Sequence, residues 1–367
     1  MNNSAAIYNL AVTGVRQLVP YVPGKPVEEL ERELGLAKII KLASNENPLG
    51  ISPKAKAAIA QHVHELALYP DGSGFNLKRA LAAKYAVSAQ QITLGNGSNE
   101  LLELVARTFL TPEHEVIFSQ HAFAVYPLVT QAVGATAVVV PARDYGHDLA
   151  AMAARINAKT RLIFIANPNN PTGTLLPQAE LEAFVRSLPA QVICVLDEAY
   201  YEFVSAEGQC DSLSWLADCP NLLITRTFSK AYGLAGLRVG YGLSSPELAD
   251  LLNRVRQPFN NNSLALVAAE AALGDSEFIA QTIANNQQGM RFLTTAFHDL
   301  GLSWIASAGN FVAVDLKREA LPVYQALLLK GVIVRPVANY DMPTFLRISI
   351  GTAEENQAFI AALRDVL

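Results

Sequence analysis

Leu222-Leu-Ile-Thr-Arg-Thr-Phe-Ser-Lys230-Ala-Tyr-Gly-Leu-Ala-Gly-Leu-Arg238 carries a short apolar run into a loop of hydroxyls, glycines and basic groups. The run over 222–225 has the length and branching of a buried strand. Thr227, Ser229 and Arg238 are side chains that can grip a phosphate. Lys230 stands among apolar and small residues. Burial lowers a lysine's pKa and frees its amine as a nucleophile. The plain alternative is a solvated surface lysine, which the hydroxyls, the glycines and Arg238 make a poor one.

Working outward, similar runs recur at 91–94, 116–119, 136–140, 162–166, 192–196 and 237–243. Helical patterns separate several of them, as with Leu101, Leu102, Val105 and Phe109, or Leu181, Phe184, Val185 and Leu188. Strand and helix in repetition predict an α/β fold with a mainly parallel seven-stranded sheet flanked by helices. The rhythm changes near Asn261, which predicts a smaller α+β domain over 261–367 behind a large domain over 45–260. Residues 1–44 read as an N-terminal arm and part of the small domain. Pro20, Pro23 and Pro26 hold the arm extended, and Val27, Leu30 and Leu34 share one face of a helix that Gly35 can cap.

Composition narrows the class. Of 367 residues, 51% are hydrophobic and 17% charged, with net charge −5, which disfavours long disordered tails and a nucleic-acid partner. Cys194, Cys210 and Cys219 show neither metal spacing nor a disulfide framework, so a reducing compartment fits. The six histidines show no metal spacing. With no leader-like or membrane-spanning pattern, the expectation is a cytoplasmic enzyme.

In open α/β sheets, ligands sit beyond the carboxyl ends of the strands. After 92–94 comes Gly95-Asn-Gly-Ser-Asn-Glu100, where glycines allow close approach and a helix start offers N–H groups to an anion. Ser98 is a plausible N-cap there, and an ordinary capping turn is an equal alternative. A dinucleotide site is weaker, because Glu100 replaces the third glycine and no ribose-binding acid follows. After 162–166 comes Asn167-Pro-Asn-Asn-Pro-Thr-Gly173, richer in turn formers than a plain connection needs. After 192–196 comes Asp197-Glu-Ala-Tyr200, an acid that must be paired if buried. It is either a structural cap or the counter-ion of a bound cation. A lysine, an acid and a phosphate cradle together are what pyridoxal 5′-phosphate requires.

The sequence resembles the fold-type I pyridoxal-phosphate aminotransferases, most closely the histidinol-phosphate aminotransferases. The carrying motifs are Pro20-Tyr-Val-Pro-Gly24, Ala43-Ser-Asn-Glu-Asn-Pro48, Tyr69-Pro-Asp71, residues 167–173 and 197–200, Thr227-Phe-Ser-Lys230 with Arg238, and Leu346-Arg-Ile-Ser-Ile-Gly351. The resemblance implies that Lys230 condenses with the cofactor and later shuttles a proton. It implies that Asp197 pairs with the ring nitrogen and that Asn170 and Tyr200 bond the ring oxygen. Ser98, Asn99, Thr227, Ser229 and Arg238 would hold the phosphate, and Phe123 would stack on the ring. Many relatives carry a tyrosine where Phe123 stands, so a hydroxyl is missing here. Tyr69 would reach the phosphate in a neighbouring subunit, which implies a homodimer with shared sites. Tyr21, Asn170, Arg335 and Arg347 would contact substrate.

The implied activity is transfer of an amino group between L-histidinol phosphate and 2-oxoglutarate or glutamate in histidine biosynthesis. From the residues alone, Arg335 and Arg347 suit an anionic substrate, although Arg335 could be a strand-end surface charge. Phe123 could equally be core, and Tyr126 and Pro127 read as structural. An aromatic amino-acid aminotransferase and a phosphothreonine decarboxylase are alternatives with the same cofactor. A nicotinamide-dependent dehydrogenase, resting on Gly95–Ser98, has no use for the Lys230 group, and a non-catalytic binding module would leave it vestigial.

Overall fold

The computed structural model describes residues 3–21, 23–36 and 38–367. Val22, inside the Pro20–Gly24 motif, lies outside the described residues. Strands run in chain order as β1 (Ile40–Lys41), β2 (Ile92–Gly95), β3 (Glu115–Ser119), β4 (Thr136–Val140), β5 (Thr160–Ala166), β6 (Ile193–Asp197), β7 (Leu222–Thr227), β8 (Gly240–Ser244), β9 (Ser303–Trp304), β10 (Phe311–Asp315), β11 (Val332–Ile333), β12 (Arg335–Val337) and β13 (Met342–Ser349).

The seven-stranded sheet has the order β2-β8-β7-β6-β5-β3-β4. Pairs β4–β3, β3–β5, β5–β6 and β6–β7 are parallel. β8 runs antiparallel to both β7 and β2. Alternate side chains of a strand point to opposite faces, and the two faces bury separate apolar layers. Ile163, Ile165, Cys194, Leu196, Leu222 and Ile224 enter one layer. Leu162, Phe164, Ile193, Val195 and Leu223 enter the other. Across the central strands both faces are therefore dry, as a sheet covered by helices on each side requires, while the edge strand β4 leaves Thr136, Ala137 and Val139 exposed.

That alternation fixes where the polar strand ends point. Asp197 and Thr225 fall in register with the layer holding Phe164, Val195 and Tyr126. Glu198 and Arg226, one residue on, point the other way. There Arg226 Nε donates to Glu198 Oε2 at 2.9 Å, with both groups almost fully buried, and the guanidinium lies 3.6 Å from the Tyr201 ring centre. The pair ties the ends of β6 and β7 together directly behind Asp197.

The smaller layer contains the antiparallel sheet β12-β13-β10-β9 and the parallel pair β1–β11. Helices Ser276–Asp299, Ala320–Leu329 and Ala353–Val366 pack on it through Leu293, Phe297, Val323, Leu327, Phe359 and Leu363.

Several sequence expectations shift. The pattern near Asn261 assigns the helix Ser263–Leu273 to the small domain, yet Ala265, Leu266, Ala268, Ala269 and Ala272 complete the large sheet's core. The helix therefore packs with the large sheet, its Ala-rich face lying against the helix Pro53–His62. The run 237–243 begins as a 3-10 turn, Ala235–Leu237, and becomes strand only at Gly240. β11 ends at Ile333, and β12 begins only at Arg335, with Val334 between them. The helix Val27–Leu34 is capped by Gly35 at φ +64°, but Leu34 is exposed rather than buried with Leu30.

Candidate active site

The loops that leave β2, β5, β6 and β7 converge with residues 43–46 and with β12 and β13 on one cavity of about 490 Å³. Its walls include Tyr21, Ser98, Asn99, Phe123, Asn170, Asp197, Tyr200, Thr227, Ser229, Lys230, Arg238, Arg335 and Arg347. Of the residues singled out in the sequence, Tyr69 is outside it. That side chain is 84% exposed and stacks on Phe259, with ring centres 4.9 Å apart.

Asp197 closes the floor. Its Oδ2 accepts from the Tyr126 hydroxyl at 2.9 Å and its Oδ1 from Thr225 Oγ1 at 3.1 Å. Burial pushes the carboxyl up, while those two hydroxyls and the Ala199 N–H oppose the rise. The sequence pattern gives Tyr126 a packing role alone. Its ring does pack, stacked on Phe164 at 4.5 Å and 2° and edge-on to Phe123, but the hydroxyl belongs to the site. That role is invisible in the sequence because an aromatic in an apolar helix looks like core.

Lys230 Nζ donates to the Ser44 carbonyl at 3.0 Å. Its pKa is lowered to about 8, first by burial and then by the nearby Arg347 and Arg238, against a smaller opposing pull from Glu46 and Asp197. A neutral, nucleophilic amine is thus accessible near neutral pH.

The opposite end of the cavity is an anion cradle. The helix Ser98–Phe109 starts there, with Gly97 rather than Ser98 at the N-cap position. Gly97 has φ +79°, and a Cβ on it would overlap the Arg238 guanidinium. A Cβ on Gly240 would strike the Ser98 backbone nitrogen. Both glycines let the arginine and the helix start share one small space. Arg238 Nη1 donates to Ser229 Oγ at 3.2 Å, and Thr227 Oγ1 accepts from the Ser229 N–H at 3.1 Å. Free N–H groups at a helix start with an adjacent guanidinium form a site for a phosphate.

Arg347 is 6% exposed. Its Nη1 donates to Asn170 Oδ1 and its Nη2 to the Ala43 carbonyl, each at 2.6 Å, while the buried Nε has no partner among the described residues. Burial lowers its pKa below the ordinary arginine value. Arg335, on β12 directly across from Arg347, lies 5.5 Å from the Tyr21 ring centre. Two cations thus face the cavity from the small layer. Residues that sequence reasoning leaves unassigned also meet here: Ser44, Asn45, Thr225 and Ser349. Their sequence signals are hydroxyls and amides inside motifs, with nothing local to say what they touch.

The donor set fits pyridoxal 5′-phosphate on its own terms. An acid that two hydroxyls hold, an amine of lowered pKa and a glycine-opened anion cradle stand in one cavity of suitable size. Comparison with known proteins agrees. The sequence pattern of aminotransferase class I and II matches residues 37–363. Histidinol-phosphate aminotransferase 2 of Pseudomonas aeruginosa is 62% identical over 360 residues, covering 98% of each chain. The protein of the same name from Pasteurella multocida is 58% identical over 359 residues, again with 98% of each covered. A crystal structure of histidinol-phosphate aminotransferase from Sinorhizobium meliloti, in complex with pyridoxal-5′-phosphate, superposes with TM-score 0.91 at 30% identity over 97% of both chains. Sheet order, cavity and sequence all lead to one conclusion: the chain belongs to the class I and II aminotransferases.

Proposed function

We propose that this protein is a pyridoxal-phosphate-dependent aminotransferase that moves an amino group between L-histidinol phosphate and 2-oxoglutarate in L-histidine biosynthesis. The observation that carries the reading is the meeting of Lys230, Asp197 and the Arg238 cradle in one cavity, in a chain 62% identical to a protein of that name.

Ser98, Asn99, Thr227, Ser229 and Arg238 would hold the cofactor's phosphate, Asp197 its ring nitrogen, Asn170 and Tyr200 its ring oxygen, and Phe123 one ring face. When bound, the cofactor supplies an electron sink for the carbanion formed at the substrate's α-carbon. Asp197 would face the ring nitrogen from the cavity floor, where the Tyr126 and Thr225 hydroxyls hold it. Lys230 Nζ would take the proton from the substrate's α-carbon and hold it on its own nitrogen. Its lowered pKa leaves the amine free to accept that proton near neutral pH. Arg347 and Arg335 orient anionic substrate groups, because a guanidinium meets a carboxylate or phosphate with paired donors. Tyr21 covers Arg335 from the arm.

The same reading includes a homodimer. Tyr69, Leu66, Leu68 and Phe75 are exposed close together on one segment. This supports Tyr69 serving the neighbouring subunit's phosphate site. Among the described residues no helix is long and apolar enough to cross a membrane. Three free buried cysteines support a cytoplasmic setting.

The test is a donor panel. Cofactor-loaded protein is mixed with histidinol phosphate, phenylalanine, tyrosine and aspartate, and the visible spectrum is followed. Rapid bleaching with histidinol phosphate, restored by 2-oxoglutarate, is expected. Conversion of another donor but not of histidinol phosphate would overturn the substrate. Carbon dioxide release without use of an oxo acid would indicate a decarboxylase.

A further inference from the structure

Asn45 is 1% exposed and sits at φ +55°, in the segment that leads from β1 into the cavity. Its hydrogen bonds have a fixed polarity. The Asn45 backbone N–H donates to Ser349 Oγ at 2.7 Å. Ser349 Oγ, having accepted there, gives its one hydrogen to Asn45 Oδ1 at 2.9 Å. With Oδ1 so engaged, Nδ2 faces the Tyr200 hydroxyl at 2.9 Å. An amide nitrogen can only donate. The Tyr200 oxygen is therefore the acceptor in that bond, and its own hydrogen is left for the cavity that Tyr200 lines. The Asn45 carbonyl accepts from Asn310 Nδ2 at 3.0 Å, which pins the segment. The Tyr200 ring is held edge-on by Phe311 at 5.0 Å.

We propose that Ser349 and Asn45 are positioning residues that act through Tyr200, turning its hydroxyl into a fixed hydrogen-bond donor toward the cofactor's ring oxygen. This rests on the cofactor reading above. The relay begins on β13, two residues from Arg347 and on the same face of the strand. The strand that would capture the substrate's anion thus also sets the polarity of Tyr200. Burial holds the phenol up at about 12, against Arg347 and the Asn45 amide, so it keeps a hydrogen to give.

In the loaded protein the ring oxygen would accept a hydrogen bond from the Lys230 nitrogen. A second donor on that oxygen competes with that bond and lowers the pH at which the nitrogen loses its proton. The experiment is a pH titration of the visible absorbance of cofactor-loaded protein, without substrate. It compares wild type, Ser349→Ala, Asn45→Ala, Ser349→Thr, Tyr200→Phe and the Ser349→Ala/Tyr200→Phe double variant. Lys230, Arg347, Asp197 and Tyr340 face the same ring and are unchanged throughout. The expected result is a midpoint raised by ~0.5–1 pH unit in Ser349→Ala, Asn45→Ala and Tyr200→Phe. Ser349→Thr keeps the hydroxyl and should stay at the wild-type value. The double variant should move no further than Tyr200→Phe alone, the mark of two residues on one path. Wild-type midpoints in Ser349→Ala and Asn45→Ala beside a shifted Tyr200→Phe would overturn the relay and leave the cofactor reading standing. A wild-type protein with no titrating band would overturn the cofactor reading and the relay with it.

Discussion

The Tyr126 hydroxyl donates to Asp197 Oδ2 at 2.9 Å from a ring stacked flat on Phe164. The acid that would pair with the cofactor is thus held from behind by a phenol that cannot turn. Burial raises the acid's pKa, and this bond, with that from Thr225, opposes the rise.

Tyr126→Phe removes that oxygen and little else. Hydrogen bonds to charged groups contribute about 1.5–3 kcal/mol, so kcat should fall about tenfold or more. KM should change little, since the Tyr126 side chain is fully buried beneath the cavity floor and bears on the site through Asp197. Steady-state kinetics on the purified variant checks both numbers, with a urea melt to show that the fold persists.

Asp197→Asn keeps the shape and removes the charge. The expected outcome is a rate reduced by several powers of ten with cofactor still bound, since the anion cradle is untouched. Unchanged kcat would contradict the role given to Asp197.

How much of this was legible in the sequence depends on distance along the chain. Lys230, Ser229, Thr227 and Arg238 announce themselves because they lie on one loop punctuated by glycines, whereas the helix start at Ser98 that shares their space comes from elsewhere in the chain. The parallel sheet was legible because both its faces are buried, so its strands read as unbroken apolar runs. Asn45 and Ser349 are different: they are 304 residues apart and meet only when β13 folds against the β1 segment. Tyr126 was hidden for another reason, since its ring obeys the helix's apolar pattern and only its oxygen departs from it. The 263–273 helix misled because an Ala-rich stretch can pack on either layer, and propensity does not say which.

The lowered pKa of Lys230 has a pH signature. A group whose charged form is disfavoured by burial gives up its proton earlier on the way up in pH. With a pKa of about 8, roughly a tenth of the amine is neutral at pH 7, far more than for a free lysine. The rate at which cofactor-free protein takes up pyridoxal 5′-phosphate should therefore rise with pH and level off above about 8. A rise continuing to pH 10 would place Lys230 in water rather than in this cavity. Stopped-flow absorbance reads the rate directly.

Gly97→Ala tests the cradle. The backbone there is left-handed, at φ +79°, and the new methyl would overlap the Arg238 guanidinium. Strain of this kind costs of the order of 1–3 kcal/mol, so cofactor affinity should drop about tenfold or more. Equilibrium dialysis of the cofactor measures it, and Gly236→Ala, where a Cβ meets open space, is the control expected to bind normally.

The central claim is that the Lys230 amine joins the cofactor. Borohydride reduction of the loaded protein, followed by proteolysis and mass mapping, tests it most directly. The account predicts one phosphopyridoxyl mass on the peptide containing Lys230 and none on a Lys230→Ala variant. An unmodified Lys230 peptide, or an adduct confined to other lysines, would contradict it.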